Sequence, residues 1–198
     1  MRPATNQRTN PFVALLRRLV AAGTLVALAF MLFTSIGVCG EGRDEAAVKV
    51  AFLYNFFKFI DWPAGAATEV MTLCTSHDPS LTEALTVLAG KTVNGRPLRV
   101  MQDIDPARIG HCHLLFLHRD GVTDIGHLLV IARTSHAVTV GDYPSFIESG
   151  GIIGLIKNGN RLVFEINLEQ AARQGHHIDA QMLKLARRVL AKSSEPGQ

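Results

Sequence analysis

Apolar residues at Val48, Phe52, Phe56 and Phe59 recur at helical spacing within a stretch, 44–60, that contains neither Gly nor Pro. The following Asp61-Trp62-Pro63 predicts where that helix ends, because a residue before proline avoids the α region. Beyond it the pattern changes to short unbroken apolar runs. Val70–Cys74, Leu98–Met101, His113–Leu117 and Ala137–Val140 each read as a strand. The segments between them carry helix or turn signals. Asp78-Pro79 opens a helix with Asp78 as N-cap and Leu81, Leu85 and Leu88 inward, and Asn94-Gly95-Arg96-Pro97 is a turn. Asp105-Pro106 is a short helical start, and Thr123–Ala132 is a helix.

The pattern differs towards the C-terminus. Gly151–Ile156 and Arg161–Ile166 flank Lys157-Asn158-Gly159-Asn160, where Asn-Gly predicts a hairpin turn. Along the second strand Leu162, Phe164 and Ile166 share one face, and Val163, Glu165 and Asn167 the other. Residues 178–191 predict a final amphipathic helix, with Ile178, Met182, Leu185 and Val189 on one stripe and Lys184, Arg187 and Arg188 opposite. Strands alternating with helices predict an α/β fold: a single three-layer domain whose mostly parallel sheet ends in an antiparallel hairpin, with helices on both faces. No repeat or linker interrupts 41–198, and Ser193–Gln198 reads as a frayed tail.

Composition changes the picture once it is divided. The 198 residues carry 20 Lys+Arg against 17 Asp+Glu, for a net charge of +3, and the mean hydropathy is +0.19. Residues 1–40 hold Arg2, Arg8, Arg17 and Arg18, no acid, and an apolar run from Leu19 to Val38. That arrangement reads as an export signal, with cleavage after Gly40. A run of about 20 apolar residues also suffices for an uncleaved anchor. Cys39 does not suggest a lipoprotein, because Val38 is too bulky for that processing. Without the four arginines Lys+Arg falls to 16 against 17 Asp+Glu, a net charge of −1, and the electrostatic motive for nucleic-acid binding is gone.

Cys74 and Cys112 then remain, and in an oxidising compartment two cysteines read as a disulfide. The competing reading is a metal site at His111-Cys112-His113, with His77. Successive ligands on a strand point to opposite faces, so one imidazole would miss a metal bound by Cys112. His176-His177 reads as an exposed loop pair. There is no Ser-His-Asp order, nucleophile elbow or HExxH, and Gly150-Gly151-Ile152-Ile153-Gly154 precedes a strand, unlike a dinucleotide loop. The expectation is a protein without catalytic residues, cofactor or resident metal.

Contact residues are weighed against core roles. Phe52, Phe56, Phe57 and Phe59 crowd one helix, and Phe56 and Phe57 point about 100° apart, so the helix is either buried on several sides or presents a dimer or partner surface. Trp62 is a core cap or a contact. Glu165 is a solvated edge-strand charge or a carboxylate paired in a contact groove, and Asn167 is a hydrogen-bonding residue at the strand end. Lys184, Arg187, Arg188 and Lys192 form a basic stripe, solvated or facing an acidic partner or anionic headgroups.

Four segments, in order, carry a family resemblance. Tyr54-Asn55-Phe56 through Trp62-Pro63 resembles the opening signature of the YfiR family of periplasmic regulatory proteins. Leu73-Cys74 with Asp78-Pro79, then Cys112-His113-Leu114-Leu115-Phe116, then Gly150–Gly154 with Arg161–Asn167 resemble the later ones. The resemblance spans roughly 46–191. It implies a small α/β periplasmic regulator that represses a membrane-bound diguanylate cyclase through its periplasmic sensor region, and that an outer-membrane lipoprotein sequesters. It places Cys74 and Cys112 at the family's structural disulfide and favours the contact reading of Glu165. This chain lacks the second cysteine pair near its C-terminal hairpin, so the resemblance does not carry over the redox sensitivity tied to that bridge. Phe57, Trp62, Glu165, Asn167, Arg187 and Arg188 are the candidate contact residues, for a membrane sensor or a homodimer. A periplasmic small-molecule binding protein is the alternative, because doubly wound sheets bind ligands at their strand ends. A thiol-disulfide enzyme is disfavoured by the distance between the two cysteines in sequence.

Overall fold

The computed structural model describes residues 41–62 and 69–191; the export segment and the C-terminal tail read from the sequence lie outside these residues. Helix α1 (Glu41–Phe56) stops four residues short of the predicted end. Lys58 N donates to Asn55 O (2.9 Å) and Phe59 N to Phe56 O (3.2 Å), so the last turn tightens and the chain leaves the helix. It does so because Ile60–Asp61 is needed elsewhere. These two residues form strand β1, which pairs antiparallel with β9 (His177–Ile178), Ile60 opposite Ile178.

The main sheet is built from β2 (Met71–Thr75), β3 (Thr92–Val93), β4 (Arg96–Met101), β5 (Leu114–Leu117), β6 (Val138–Gly141), β7 (Ile153–Asn158), β8 (Arg161–Asn167) and β10 (Arg188–Leu190). Their spatial order is β10-β8-β7-β6-β5-β2-β4-β3. The pairs β4·β2, β2·β5, β5·β6, β6·β7 and β8·β10 are parallel; the β3·β4 and β7·β8 hairpins are antiparallel. The predicted α/β fold with a mostly parallel sheet and a C-terminal hairpin is therefore what forms. Every residue of β2, β5 and β6 is buried, the continuous apolar run of a sheet covered on both faces. Pleat alternation divides those residues. Leu73, Leu114, Phe116, Val138 and Val140 face α1, with Val50, Leu53 and Phe56 among their partners. Cys74, Leu115 and Leu117 join the other cluster, where helix α2 (Ile125–Thr134) contributes Leu129 and Ala132.

The connections are shorter than the sequence pattern suggests. After Asp78-Pro79 there is no α-helix, only turns and the 3-10 segment Ala84–Leu88, yet Leu81, Leu85 and Leu88 are inward as expected. A second 3-10 segment, Pro106–His111, is capped by Asp105, whose side chain accepts from Ala107 N. In the β6–β7 connection Phe146 lies between two glycines: a Cβ at Gly141 would come within 2.4 Å of its ring, and one at Gly151 within 2.2 Å.

The C-terminal region corrects the sequence reading most. The predicted helix over 178–191 exists only as α4 (Ala180–Leu185), and α3 (Leu168–Arg173) precedes it. Leu185, assigned to the inward stripe, is largely exposed. Ala186 turns extended, Arg187 N donates to Phe164 O (2.8 Å), and Arg188–Leu190 add a parallel edge strand beside β8. The open backbone edge of β8 and the buried Glu165 carboxylate together outweigh the local helical pattern.

Candidate functional site

The strand order reverses beside β2: the chain passes from β2 to β4 on one side, then returns to β5 on the other. Loops leaving the carboxyl ends of β2 and β5 diverge at such a point and open a crevice, the usual ligand position in sheets of this kind. Ser76 ties the two ends together, its N–H donating to Phe116 O (2.9 Å) and its Oγ accepting from His118 N (2.8 Å). Gly121 packs so closely that a Cβ there would stand 2.0 Å from the His77 carbonyl oxygen. Beside it lies a cleft of about 340 Å³, with Ser76, His77, Asp103, Thr123, Asp124 and His127 among its lining residues. His77 Nδ1 and Asp103 Oδ1 pair across it at 2.9 Å, both exposed.

A polar cluster adjoins the cleft. Asp78 follows β2, His118 follows β5 and Asp142 follows β6, and one donor atom from each lies within 4.8 Å of the others. His118 Nδ1 is 3.0 Å from both oxygens of Asp142 and 3.7 Å from Asp78 Oδ2. Asp78 Oδ1 accepts from Ser80 N (3.0 Å) and Ser80 Oγ (2.6 Å). From α1, Lys49 Nζ reaches Asp142 Oδ2 (2.7 Å) and Glu45 Oε1 (3.3 Å). Burial works against the Lys49 ammonium, but Asp142 and Glu45 outweigh it and hold its pKa above the ordinary value. Read from sequence, Asp78 is a helix N-cap, and Lys49, His118 and Asp142 carry no assigned role. Their one sequence signal is position, since His118 and Asp142 are the first residues past unbroken buried strands.

The cysteines form the expected bond. Cys74 and Cys112 are joined with Cα atoms 5.7 Å apart. Cys112 is not part of β5; it closes the Pro106–His111 turn, which packs on the face of the sheet that Cys74 occupies. The metal reading of His111-Cys112-His113 is thereby overturned for the thiol. His113 instead accepts from Thr72 N at Nδ1 (3.1 Å).

The contact candidates separate into buried and accessible groups. Phe57 is 0% exposed, a core residue unavailable at the surface. Asn167 caps α3, accepting from Gln170 N (2.9 Å) and donating to Ile147 O (2.9 Å). Glu165 is 3% exposed, because β10 covers β8 and makes it an inner strand, so the solvated-edge reading does not hold. Its carboxylate accepts from Arg188 Nη2 (2.6 Å) and Arg187 Nη2 (2.6 Å), and Arg188 also pairs with Glu148. These guanidiniums, Arg188 foremost, hold the Glu165 carboxyl below the usual carboxylate range against the opposing effect of burial. Both arginine side chains remain about half exposed. Lys184 shares the exposed side of α4, while Lys192 lies outside the described residues.

Trp62 is half-buried and stacks edge-on to His113 (5.8 Å) and His176 (5.4 Å), with Phe57 at 5.6 Å. Its Nε1 has no hydrogen-bond partner among the described residues. His176, read from sequence as exposed, is 3% exposed, with Nε2 donating to His136 O (2.9 Å); only His177 is exposed. Burial, reinforced by the neighbouring His136 side chain, pushes the His176 pKa below that of a free imidazole. The unfolded chain therefore takes up a proton first, and stability falls as pH drops below about 6.5. Glu165 acts in a lower window: its contribution is present at neutral pH and is lost as pH falls through and below about 4.3. Urea midpoints measured between pH 7.5 and 5.0 should decline, and His176→Gln should flatten the decline. An unchanged slope in that variant would assign the effect elsewhere.

A profile of YfiR/HmsC-like proteins matches residues 46–187, from within α1 to the first of the two arginines on Glu165. The chain belongs to the YfiR/HmsC-like family. This is a family of periplasmic regulatory proteins, and the match covers nearly all of the described sheet. Among solved structures, the YfiR/HmsC-like chain is similar to a conserved domain protein from Vibrio cholerae O1 biovar eltor, at 13% identity and TM-score 0.50, over 73% of this chain and 60% of that one. It is also similar to the ABC domain in complex with L-Trp from Streptococcus pneumonia, at 10% identity and TM-score 0.48, over 71% of this chain and 60% of that one. The chain thus spans about 60% of the length of both solved structures, and the Vibrio likeness is one of fold.

Proposed function

We propose that this chain is exported by residues 1–40 and acts in the periplasm by binding the sensor region of an inner-membrane signalling protein, holding a diguanylate cyclase inactive. The family match over residues 46–187 carries this reading. Repression of this kind needs no chemistry from the repressor: it binds the inactive state of its partner more tightly and shifts the population by that difference. A competing outer-membrane lipoprotein relieves it by mass action. Of the contact candidates, Arg187, Arg188 and Trp62 retain exposed surface, and the two guanidiniums beside the sheet edge suit an acidic partner. Deleting the gene should raise cellular cyclic di-GMP, and the tagged protein should co-purify a membrane cyclase. Unchanged cyclic di-GMP together with failed capture would sink the proposal.

A second reading draws on the crevice at the strand ends. A cleft of about 340 Å³ at the switch in strand order is where a small-molecule binding protein of this fold would hold its ligand. Calorimetry against periplasmic metabolites separates the two: saturable ligand binding without capture of a membrane partner favours the second.

A further inference from the structure

Three loops leave the carboxyl ends of β2, β5 and β6, and each brings one donor atom to the same point. The Asp78 side chain is 3% exposed and that of Asp142 5%, whereas His118 is a quarter exposed and opens the cluster to solvent. Asp78 Oδ1 is satisfied by Ser80, but Oδ2 is buried with no hydrogen-bond partner among the described residues. It is aimed at the cluster, 3.7 Å from His118 Nδ1. A buried carboxylate oxygen without a hydrogen-bond donor is costly, and a cation bound beside it would offset that cost. We propose that Asp78, His118 and Asp142 form a binding site for one borderline divalent cation, Zn²⁺ foremost.

The spacing fits. An ion with bonds of about 2.1 Å in tetrahedral geometry separates its donors by about 3.4 Å. The observed 3.0 Å from His118 Nδ1 to the Asp142 oxygens and 3.7 Å to Asp78 Oδ2 bracket that value. One imidazole nitrogen with two carboxylate oxygens suits Zn²⁺ or Mn²⁺ better than a wholly oxygen-seeking ion, and leaves a fourth position for water. Binding requires a bare Nδ1. A neutral His118 meets that by carrying its ring proton on Nε2; the exposed Asp120 carboxylate lies 3.8 Å from that nitrogen, too far to fix the ring by a hydrogen bond. Lys49 holds Asp142 Oδ2, so the ion would take Oδ1, replacing the 3.0 Å contact that Oδ1 makes with His118 Nδ1. Its ammonium competes with the cation for the same carboxylate, so it limits affinity without filling the gap at Asp78. This inference does not depend on the regulatory reading.

The test uses the full chain without a histidine tag, stripped by chelator and titrated with ZnCl₂, MnCl₂ and CaCl₂ by calorimetry and thermal unfolding. One equivalent of Zn²⁺ should bind and raise the Tm, with Mn²⁺ weaker and Ca²⁺ weakest. Asp78→Asn and His118→Gln should each weaken Zn²⁺ binding at least about tenfold, whereas Lys49→Gln should strengthen it. Asp78 also organises the Ser80 turn, so the fold of its variant is checked by circular dichroism; the partly exposed His118 position decides the matter if that variant fails to fold. The proposal is overturned if no cation binds saturably, if His118→Gln binds as tightly as the native chain, or if His77→Gln in the cleft abolishes binding instead.

Discussion

Reduction of the Cys74–Cys112 bond is expected to lower the stability of the domain by about 4 kcal/mol. The cysteines are 38 residues apart in sequence, and the loop-closure entropy removed from the unfolded chain by a bridge of that span gives this magnitude. For a domain of this size it corresponds to a fall in Tm of roughly 8–16 °C. The loop so closed contains the β3·β4 hairpin at one edge of the sheet and the 3-10 segments Ala84–Leu88 and Pro106–His111, and the bond staples its end to the inner strand β2. Cys74 is 0% and Cys112 5% exposed, so the bond should resist mild reductant until the domain opens. Thermal unfolding of the oxidised protein, the reduced protein and the Cys74→Ala/Cys112→Ala variant checks this. A loss below about 1 kcal/mol in both altered forms would mean that the bridge does not constrain the unfolded chain as supposed.

Truncation of Phe57 is expected to cost about 3–5 kcal/mol, the range for removing a fully buried aromatic ring. Its ring lies 5.6 Å from Trp62 and shares one cluster with Phe56, although successive helical residues diverge by about 100°. The contradiction disappears because α1 ends at Phe56 and Phe57 belongs to the turn after it. Urea denaturation of Phe57→Ala and Phe57→Leu should show a large loss for the first and a smaller one for the second. If Phe57 were a contact residue, Phe57→Ala would keep its midpoint and lose only partner capture. That result would contradict the packing described above.

Much of the fold was legible along the chain. The unbroken runs Leu114–Leu117 and Val138–Gly141 declare strands buried on both faces, and Asn158-Gly159 declares its hairpin, because these signals are carried by neighbouring residues. Residues 178–191 misled because their helical stripe is real as a pattern. Tertiary demands, an open β8 edge and a buried Glu165 needing two guanidiniums, pull Arg187 and Arg188 into extended backbone. His176 misled in the same way: nothing local says that Trp62, more than a hundred residues earlier, will cover it.

The strand-end cluster marks the boundary. Chain-local periodicity and turn chemistry were enough for the α/β class, the strands and the hairpin, and the family motifs were enough for the kinship. Asp78 reads along the chain as a helix N-cap, while His118 and Asp142 stand where a strand gives way to a loop. They meet because β5 lies between β2 and β6, all parallel, so their carboxyl ends open on the same edge of the sheet. Strand order is a property of long-range pairing, and no local pattern encodes which buried strand will lie beside which.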